Sequence, residues 1–247
     1  MVSVPVSPYC ELARWTLDRL GVDYVEQCHA PVFNTLAARR HRGGAVVPIL
    51  DIGGTSLTDA RQIVRFYDQR APDELKLFPA DPGQRAEVKQ LFDEFFDELG
   101  VAVRAWAYAY QLSERASTTR AWLYRAPRLE RWIVPVVYPL IAARLRKGLG
   151  LHAGSAREQR AIIDASFARL EDRVGDGRRY LVGERLSAAD LALVTLIAPA
   201  VLPPEYRGPL PAMDELAAPM RREVEQLRDH PVGRFALRLY AEERAGP

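Results

Sequence analysis

Ser7, Pro8, Tyr9 and Cys10 set a hydroxyl and a thiol three residues apart where the residue types call for a helix to begin. Serine caps an orphan amide, and proline costs nothing at the first helical position, where its missing N–H would go unpaired anyway. Unpaired amides and the helix dipole make such a start favourable to negative charge. Two readings stand on this run alone. Either the pair serves an anion held at the helix start, or Ser7 is only a cap and Cys10 only a small packed residue. Ser187 and Asp190 have the spacing at which each side chain satisfies the other's backbone amide, a device that starts a helix and does no catalysis. Trp106, Tyr108 and Tyr110 recur at a spacing of two, so on a helix they cannot all share one face. Cys10 and Cys28 belong to no Cys-x-x-Cys or zinc pattern. His29, His41, His152 and His230 show neither ligand spacing nor a catalytic partner, so no metal is expected.

The elements that must position Ser7 follow in order. Leu12, Ala13, Thr16, Leu17 and Leu20 make one apolar helical face, which Gly21 closes. Val22–Gln27 predicts a short strand, 31–42 a loose helix with the basic end Arg39-Arg40-His41-Arg42, and Ala45–Ile52 a strand carrying Pro48 near its start. Gly53-Gly54 reads as a two-residue hairpin turn, Thr55–Leu57 as the returning strand, and Thr58-Asp59 as the start of a helix whose stripe is Ile63, Phe66 and Tyr67. This describes a small α/β domain over residues 1–71. Turn formers at 72–83 mark a linker. Beyond it only helical spacing recurs, first in Leu91, Phe95, Leu99 and Val103, then in blocks at about 117–148, 155–175, 187–201, 213–229 and 231–244, which predicts an all-helical domain over residues 84–247.

Composition bounds the function. The chain has 247 residues, 48% hydrophobic and 27% charged, as an ordinary soluble globular protein does. A net charge of +2 without a basic stripe gives no reason to expect nucleic acid as a partner. Two cysteines suit a reducing cytoplasm. The N-terminus lacks a signal-peptide pattern. Trp132–Leu145 is too short to span a bilayer and holds two prolines, so it reads as a buried helix or inter-domain surface. With Arg144, Arg146 and Lys147 alongside, an amphipathic membrane-surface role is the alternative.

Three segments in this order and spacing resemble the soluble glutathione transferase superfamily in its serine-type form. They are Ser7-Pro8-Tyr9-Cys10-Glu11-Leu12-Ala13-Arg14, then Val47-Pro48-Ile49-Leu50 followed by Leu57-Thr58-Asp59-Ala60-Arg61-Gln62-Ile63, and Tyr180-Leu181-Val182-Gly183-Glu184-Arg185-Leu186-Ser187-Ala188-Ala189-Asp190. The resemblance implies a thioredoxin-like N-terminal domain, an all-helical C-terminal domain, and a homodimer with the active site between domains. It implies glutathione as co-substrate with its sulfur near Ser7, and a small hydrophobic electrophile as acceptor, or a variant chemistry such as hydroperoxide reduction. By the same resemblance Ser7 is catalytic, Tyr9, Val47, Pro48, Asp59 and Ala60 bind glutathione, and Tyr108 lines the hydrophobic pocket. Pro48 would be cis, turning the backbone of Val47 toward the cysteinyl unit. Among the departures from the family pattern, Ala60 and the missing lysine weigh toward a catalytically silent binding or scaffold protein, while Ser7 and Val47-Pro48 weigh toward the enzyme. Asp59 stands where Glu or Gln is usual and Ala60 where Ser is usual, and Ala45-Val46 replaces a lysine, so a charge partner for the glycyl carboxylate would come from residues 39–42. The motif also resembles a glutaredoxin Cys-Pro-Tyr-Cys whose first thiol is replaced, which implies poor disulfide exchange.

Overall fold

Gly53 and Gly54 fold the chain back on itself with φ of +52° and +94°, a left-handed pair that glycine adopts without steric cost. The turn joins β3 (Leu50–Ile52) to β4 (Thr55–Leu57) in an antiparallel hairpin with Ile52 opposite Thr55. The computed structural model that shows this describes residues 1–40 and 46–244. β1 (Val2–Ser3) pairs in parallel with β2 (Gln27–Cys28), and an antiparallel bridge between Val2 and Ile49 connects this pair to the hairpin strand. α1 (Pro8–Arg19) lies between β1 and β2, α2 (Phe33–Arg40) between β2 and β3, and α3 (Ala60–Asp68) follows β4. This order is the thioredoxin-like unit. One core holds its parts together: Ala13 and Leu17 of α1, Leu50 and Leu57 of the hairpin, and Ile63 of α3.

Two strands are shorter than their sequence patterns predict. Within Val22–Gln27 only Gln27 enters a ladder, where it donates to the carbonyl of Met1 at 2.8 Å. Upstream, Tyr24 is drawn toward α1, its hydroxyl 3.3 Å from Asp18, and Val25 stands exposed. The strand predicted over Ala45–Ile52 begins only at Leu50, because Pro48 has no N–H to give a ladder. Ala45 lies outside the described residues.

The chain divides into two compact units. One contains residues 1–75, 111–150 and 207–210, and the other 76–110, 151–206 and 211–247. In the first unit the predicted block 117–148 is two helices, α6 (Arg115–Trp122) and α7 (Arg128–Gly148). Pro127 sets the break, since the residue before a proline is steered away from helix, and Arg125 just ahead of it has φ +54°. Pro135 and Pro139 sit inside α7. Pro139 cannot donate to the carbonyl of Pro135, and Arg115 donates to that carbonyl instead, at 2.5 Å. α7 is not the buried helix that its composition suggests: Leu129, Trp132, Val136 and Leu140 are exposed.

In the second unit α4 (Pro82–Glu94) and α5 (Gly100–Gln111) are nearly continuous through a π-turn at Phe95–Leu99. Leu91, Phe95, Leu99 and Val103 are all buried, as their spacing predicts. α8 (Ser155–Gly175), α10 (Ala218–Asp229) and α11 (Pro231–Leu239) complete it around α9 (Ala188–Val201), in which every residue is buried. The predicted capping box starts α9. Asp190 accepts from the amides of Ser187 and Leu181 at 2.8 and 2.7 Å. Burial outweighs these bonds and pushes its carboxyl up to about 6. The predicted block 213–229 starts as a short 3-10 turn, Met213–Glu215, before α10. Phe235, Leu239 and Tyr240 at the C-terminal end of this unit are buried. No helix among the described residues is long and apolar enough to cross a membrane.

Candidate functional site

Ser7 is the N-cap of α1, with extended backbone (φ −72°, ψ 123°) and Pro8 at the first position of the helix. Its Oγ accepts from the amide of Cys10 at 3.4 Å. A hydroxyl that accepts a bond at oxygen still has its own proton to donate. Ser7 is half-buried. Cys10 is fully buried, and burial pushes its thiol up to about 11 against the opposing pull of Arg14 and Ser7. Cys10 is therefore a neutral packed residue at neutral pH. Of the two readings of the motif, the structure gives the thiol the packing role. Tyr9 is also buried, on the first turn of the helix.

Pressing on α1 from both sides buries every residue from Pro8 to Leu17, not only the predicted apolar face. Glu11 and Arg14 go in with it and survive as a network. Arg14 Nη1 meets Glu11 at 3.2 Å, Nε meets Glu26 at 2.9 Å, and Nη2 donates to the carbonyl of Pro5 at 3.3 Å. Burial raises the Glu26 carboxyl, but the Arg14 guanidinium outweighs it and holds the group below its ordinary value. The carbonyl of Pro5, two residues ahead of the cap, is thus tied to the helix that Ser7 starts.

The Val47–Pro48 peptide bond is cis. The Val2–Ile49 bridge is antiparallel, so the chain leading from β1 toward Ser7 runs beside the chain leading back from Ile49 to Val47. Asp59 caps α3: its Oδ1 accepts from the amide of Gln62 at 2.8 Å, while Ala60 is fully buried in the first turn. Gln62 closes the cap from the other side by accepting from the amide of Thr58 at 3.0 Å. Ser7, Val47, Pro48, Asp59 and Ala60 thus belong to elements that share one core. Tyr108 is on α5 in the second unit, half-buried. Its neighbours Trp106 and Tyr110, four residues apart, do share a face. Both donate to Glu223, at 2.6 and 2.7 Å. Of the basic residues 39–42, Arg39 and Arg40 end α2, and His41 and Arg42 lie outside the described residues.

Sequence reasoning missed one buried cluster beside this site. Glu130 of α7 accepts from the amide of Ala30 at 2.7 Å and meets Nδ1 of His29 at 2.5 Å, just ahead of α2. His29 therefore has a partner, and Cys28 has one as well, a 3.6 Å contact from the Ser3 hydroxyl. The signal for Glu130 was its isolation, since it is the sole acid between Glu114 and Glu158. A cleft of about 570 Å³ lies along α1, lined by Arg14, Asp18, Glu26, Cys28, Tyr124 and Arg207. Ser7 does not line it, and the charged groups there are largely paired with one another, as Arg14 is with Glu26 and Arg207 with Asp18. Among the described residues no group of three or more His, Cys, Asp or Glu is placed to hold a metal ion.

Residues 1–75 match the family described as glutathione S-transferase, N-terminal domain, and residues 153–222 match glutathione S-transferase, C-terminal domain. No curated protein sequence matches the chain. Among solved structures it is similar to a glutathione S-transferase from Methylobacterium radiotolerans in complex with glutathione sulfonate, with 20% identity, 96% of this chain and 92% of that chain covered, and a TM-score of 0.54. A glutathione S-transferase from Methylobacillus flagellatus with glutathione bound aligns at 17% identity, 95% and 96% coverage, and a TM-score of 0.53. A beta-etherase from Sphingobium aligns at 18% identity, 96% and 97% coverage, and a TM-score of 0.56. Because the two family matches fall on the α/β start and on the capping-box helices, in the order that the three sequence segments require, this chain belongs to the glutathione transferase superfamily.

Proposed function

We propose that the protein is a glutathione transferase in which Ser7 activates the thiol of glutathione for attack on a small hydrophobic electrophile. The observation that carries this reading is the place of Ser7: half-buried at the N-cap of α1, its hydroxyl at the amide-rich helix start where its oxygen accepts from the Cys10 amide. A thiol is mostly protonated at neutral pH, and the thiolate is the nucleophile. A donor at a helix start stabilises that anion without ionising itself. The thiol proton leaves to solvent, the sulfur forms a bond to the electrophilic carbon, and the leaving group departs with its electron pair. In this reading Tyr9 and the backbone of Val47 ahead of cis-Pro48 contact the cysteinyl part. The α3 start at Asp59 and Ala60 meets the γ-glutamyl end, and Tyr108 lines the acceptor pocket. The protein acts as a cytoplasmic homodimer, with residues 72–83 joining a domain of residues 1–71 to a helical domain of residues 84–247. Glutathione-dependent reduction of a hydroperoxide is a variant of the same thiolate chemistry. Glutathione bound to the structural relative from Methylobacillus supports this choice of co-substrate.

The second reading is a catalytically silent binding module. It draws on Asp59, whose carboxylate is already engaged as a cap, and on Ala60, which offers no hydroxyl. One experiment separates the two: calorimetry with glutathione, and conjugation of a generic aromatic halide, for wild type and Ser7→Ala. The expected results are glutathione binding by both proteins and a fall in kcat/KM of about 100-fold in Ser7→Ala, the usual effect of removing one donor to a developing anion. No binding at millimolar glutathione would sink the enzyme reading. Unchanged activity in Ser7→Ala would shift thiol activation to Tyr9, since Cys10 is fully buried.

A further inference from the structure

We infer that α7 is a docking face for an anionic lipid bilayer surface. The helix buries Glu130, Val134, Tyr138, Ile141 and Ala142 on one side. On the opposite side Leu129, Trp132, Val136 and Leu140 are exposed by 68%, 81%, 77% and 72%. At 3.6 residues per turn these four fall within about 80° of one another, in a row about 17 Å long. An apolar row of this kind on the outer face of a helix that has no pattern reason to place it there needs a partner.

The charge around the row says which kind of partner. Arg125, Arg128 and Arg131 stand at one end, Arg144, Arg146 and Lys147 at the other, and the only acid in the span is Glu130, on the buried side. Arg131 and Arg146 donate to main-chain carbonyls, those of Ala126 and Leu112, which leaves their charge uncompensated. None of the six cations forms a salt bridge among the described residues. A second copy of this chain laid on the row, parallel or antiparallel, would bring cationic ends against cationic ends. The partner is therefore anionic.

Exposure separates a bilayer from an acidic protein. Side chains as open as these project from the surface and do not line a groove that could receive a partner's side chain, and protein interfaces draw their affinity from such enclosed contacts. Projecting apolar groups beside cations are what a headgroup layer accepts. The aliphatic side chains enter the acyl boundary, tryptophan settles at headgroup level, and Arg and Lys meet the lipid phosphates. The carbonyl of Pro135, which Pro139 cannot serve, is met by Arg115.

The test is flotation of the full chain with vesicles of phosphatidylcholine alone and of phosphatidylcholine with about 30% phosphatidylglycerol. The chain is expected to float with the anionic vesicles only, and less so in about 0.5 M salt. Trp132→Glu with Leu140→Glu should lower the vesicle-bound to free ratio by at least about tenfold. Both positions are exposed, so the circular dichroism spectrum and melting temperature should match wild type. Arg144→Gln with Lys147→Gln, which leaves the apolar row intact, should lower the ratio several-fold and flatten its salt dependence. The inference is overturned if anionic vesicles do not capture the wild type, which would point to an acidic protein. It is overturned equally if the row variant floats as wild type does, or if that variant turns a dimer into a monomer while vesicle binding persists.

Discussion

Replacing Glu130 by alanine is expected to destabilise the first unit by about 3 kcal/mol. The carboxylate is 5% exposed and holds two groups, the fully buried Ala30 amide at 2.7 Å and the His29 ring nitrogen at 2.5 Å. A hydrogen bond to a charged group contributes about 1.5–3 kcal/mol net, and a buried donor left without a partner costs about 1–3 kcal/mol. Taking the lower part of each range gives the figure of about 3, since the loop ahead of α2 can relax toward water. For a chain of this size that corresponds to a fall in melting temperature of about 6–12 °C. Glu130→Gln keeps a carbonyl oxygen for the Ala30 amide and loses only the charge, so it should cost about 1 kcal/mol. The assay is denaturant unfolding of both variants, with hydrogen exchange read at Ala30. A Glu130→Ala protein within about 0.5 kcal/mol of wild type, or one with Ala30 still protected, would refute the claim that this contact anchors α7 to the segment before α2.

Asp190 sets a pH dependence with a definite sign. Its folded pKa of about 6 lies above the ordinary 3.8, so its protonated form is favoured by folding. That contribution is complete below the ordinary value and is lost as pH rises through about 6. Stability of the wild type relative to Asp190→Asn should therefore fall by about 3 kcal/mol between about pH 3.5 and 6.5, and a constant difference across that window would refute it. Tyr110 is pushed up to about 12, by burial first and then by its bond to Glu223. Glu223→Gln should bring it part of the way toward 10, read as the tyrosine absorbance titration that Tyr110→Phe removes. An unmoved titration would show that burial alone sets the value.

How far the chain could be read depended on the range of the interaction. Ser7-Pro8, Asp59 ahead of α3, Gly53-Gly54 and the Ser187–Asp190 box each act within a few residues, and each stands where its residue types predict. The helical stripe from Leu91 to Val103 is buried as its period requires. Strand limits were less legible, because a strand exists only where a neighbour supplies a ladder: among the described residues ahead of Gln27 the β1 main chain reaches only the Val25 carbonyl, through Met1, and Pro48 has no donor to give. The exposed face of α7 was illegible for the opposite reason. Apolar residues on both sides of a helix look the same in sequence whether or not something covers them.

Local chemistry, then, was determined by the sequence itself: a capped helix start bearing a hydroxyl, a hairpin, a second capped start, and a helical remainder. The tertiary structure alone decided which charges meet. Arg14 reaches Glu26 across 12 residues, Glu130 reaches His29 across 101, and Glu223 gathers Trp106 and Tyr110 from more than a hundred residues away. Contacts at that range leave no period or spacing in the chain, because the partner is chosen by how the elements pack and not by anything the residues share in sequence.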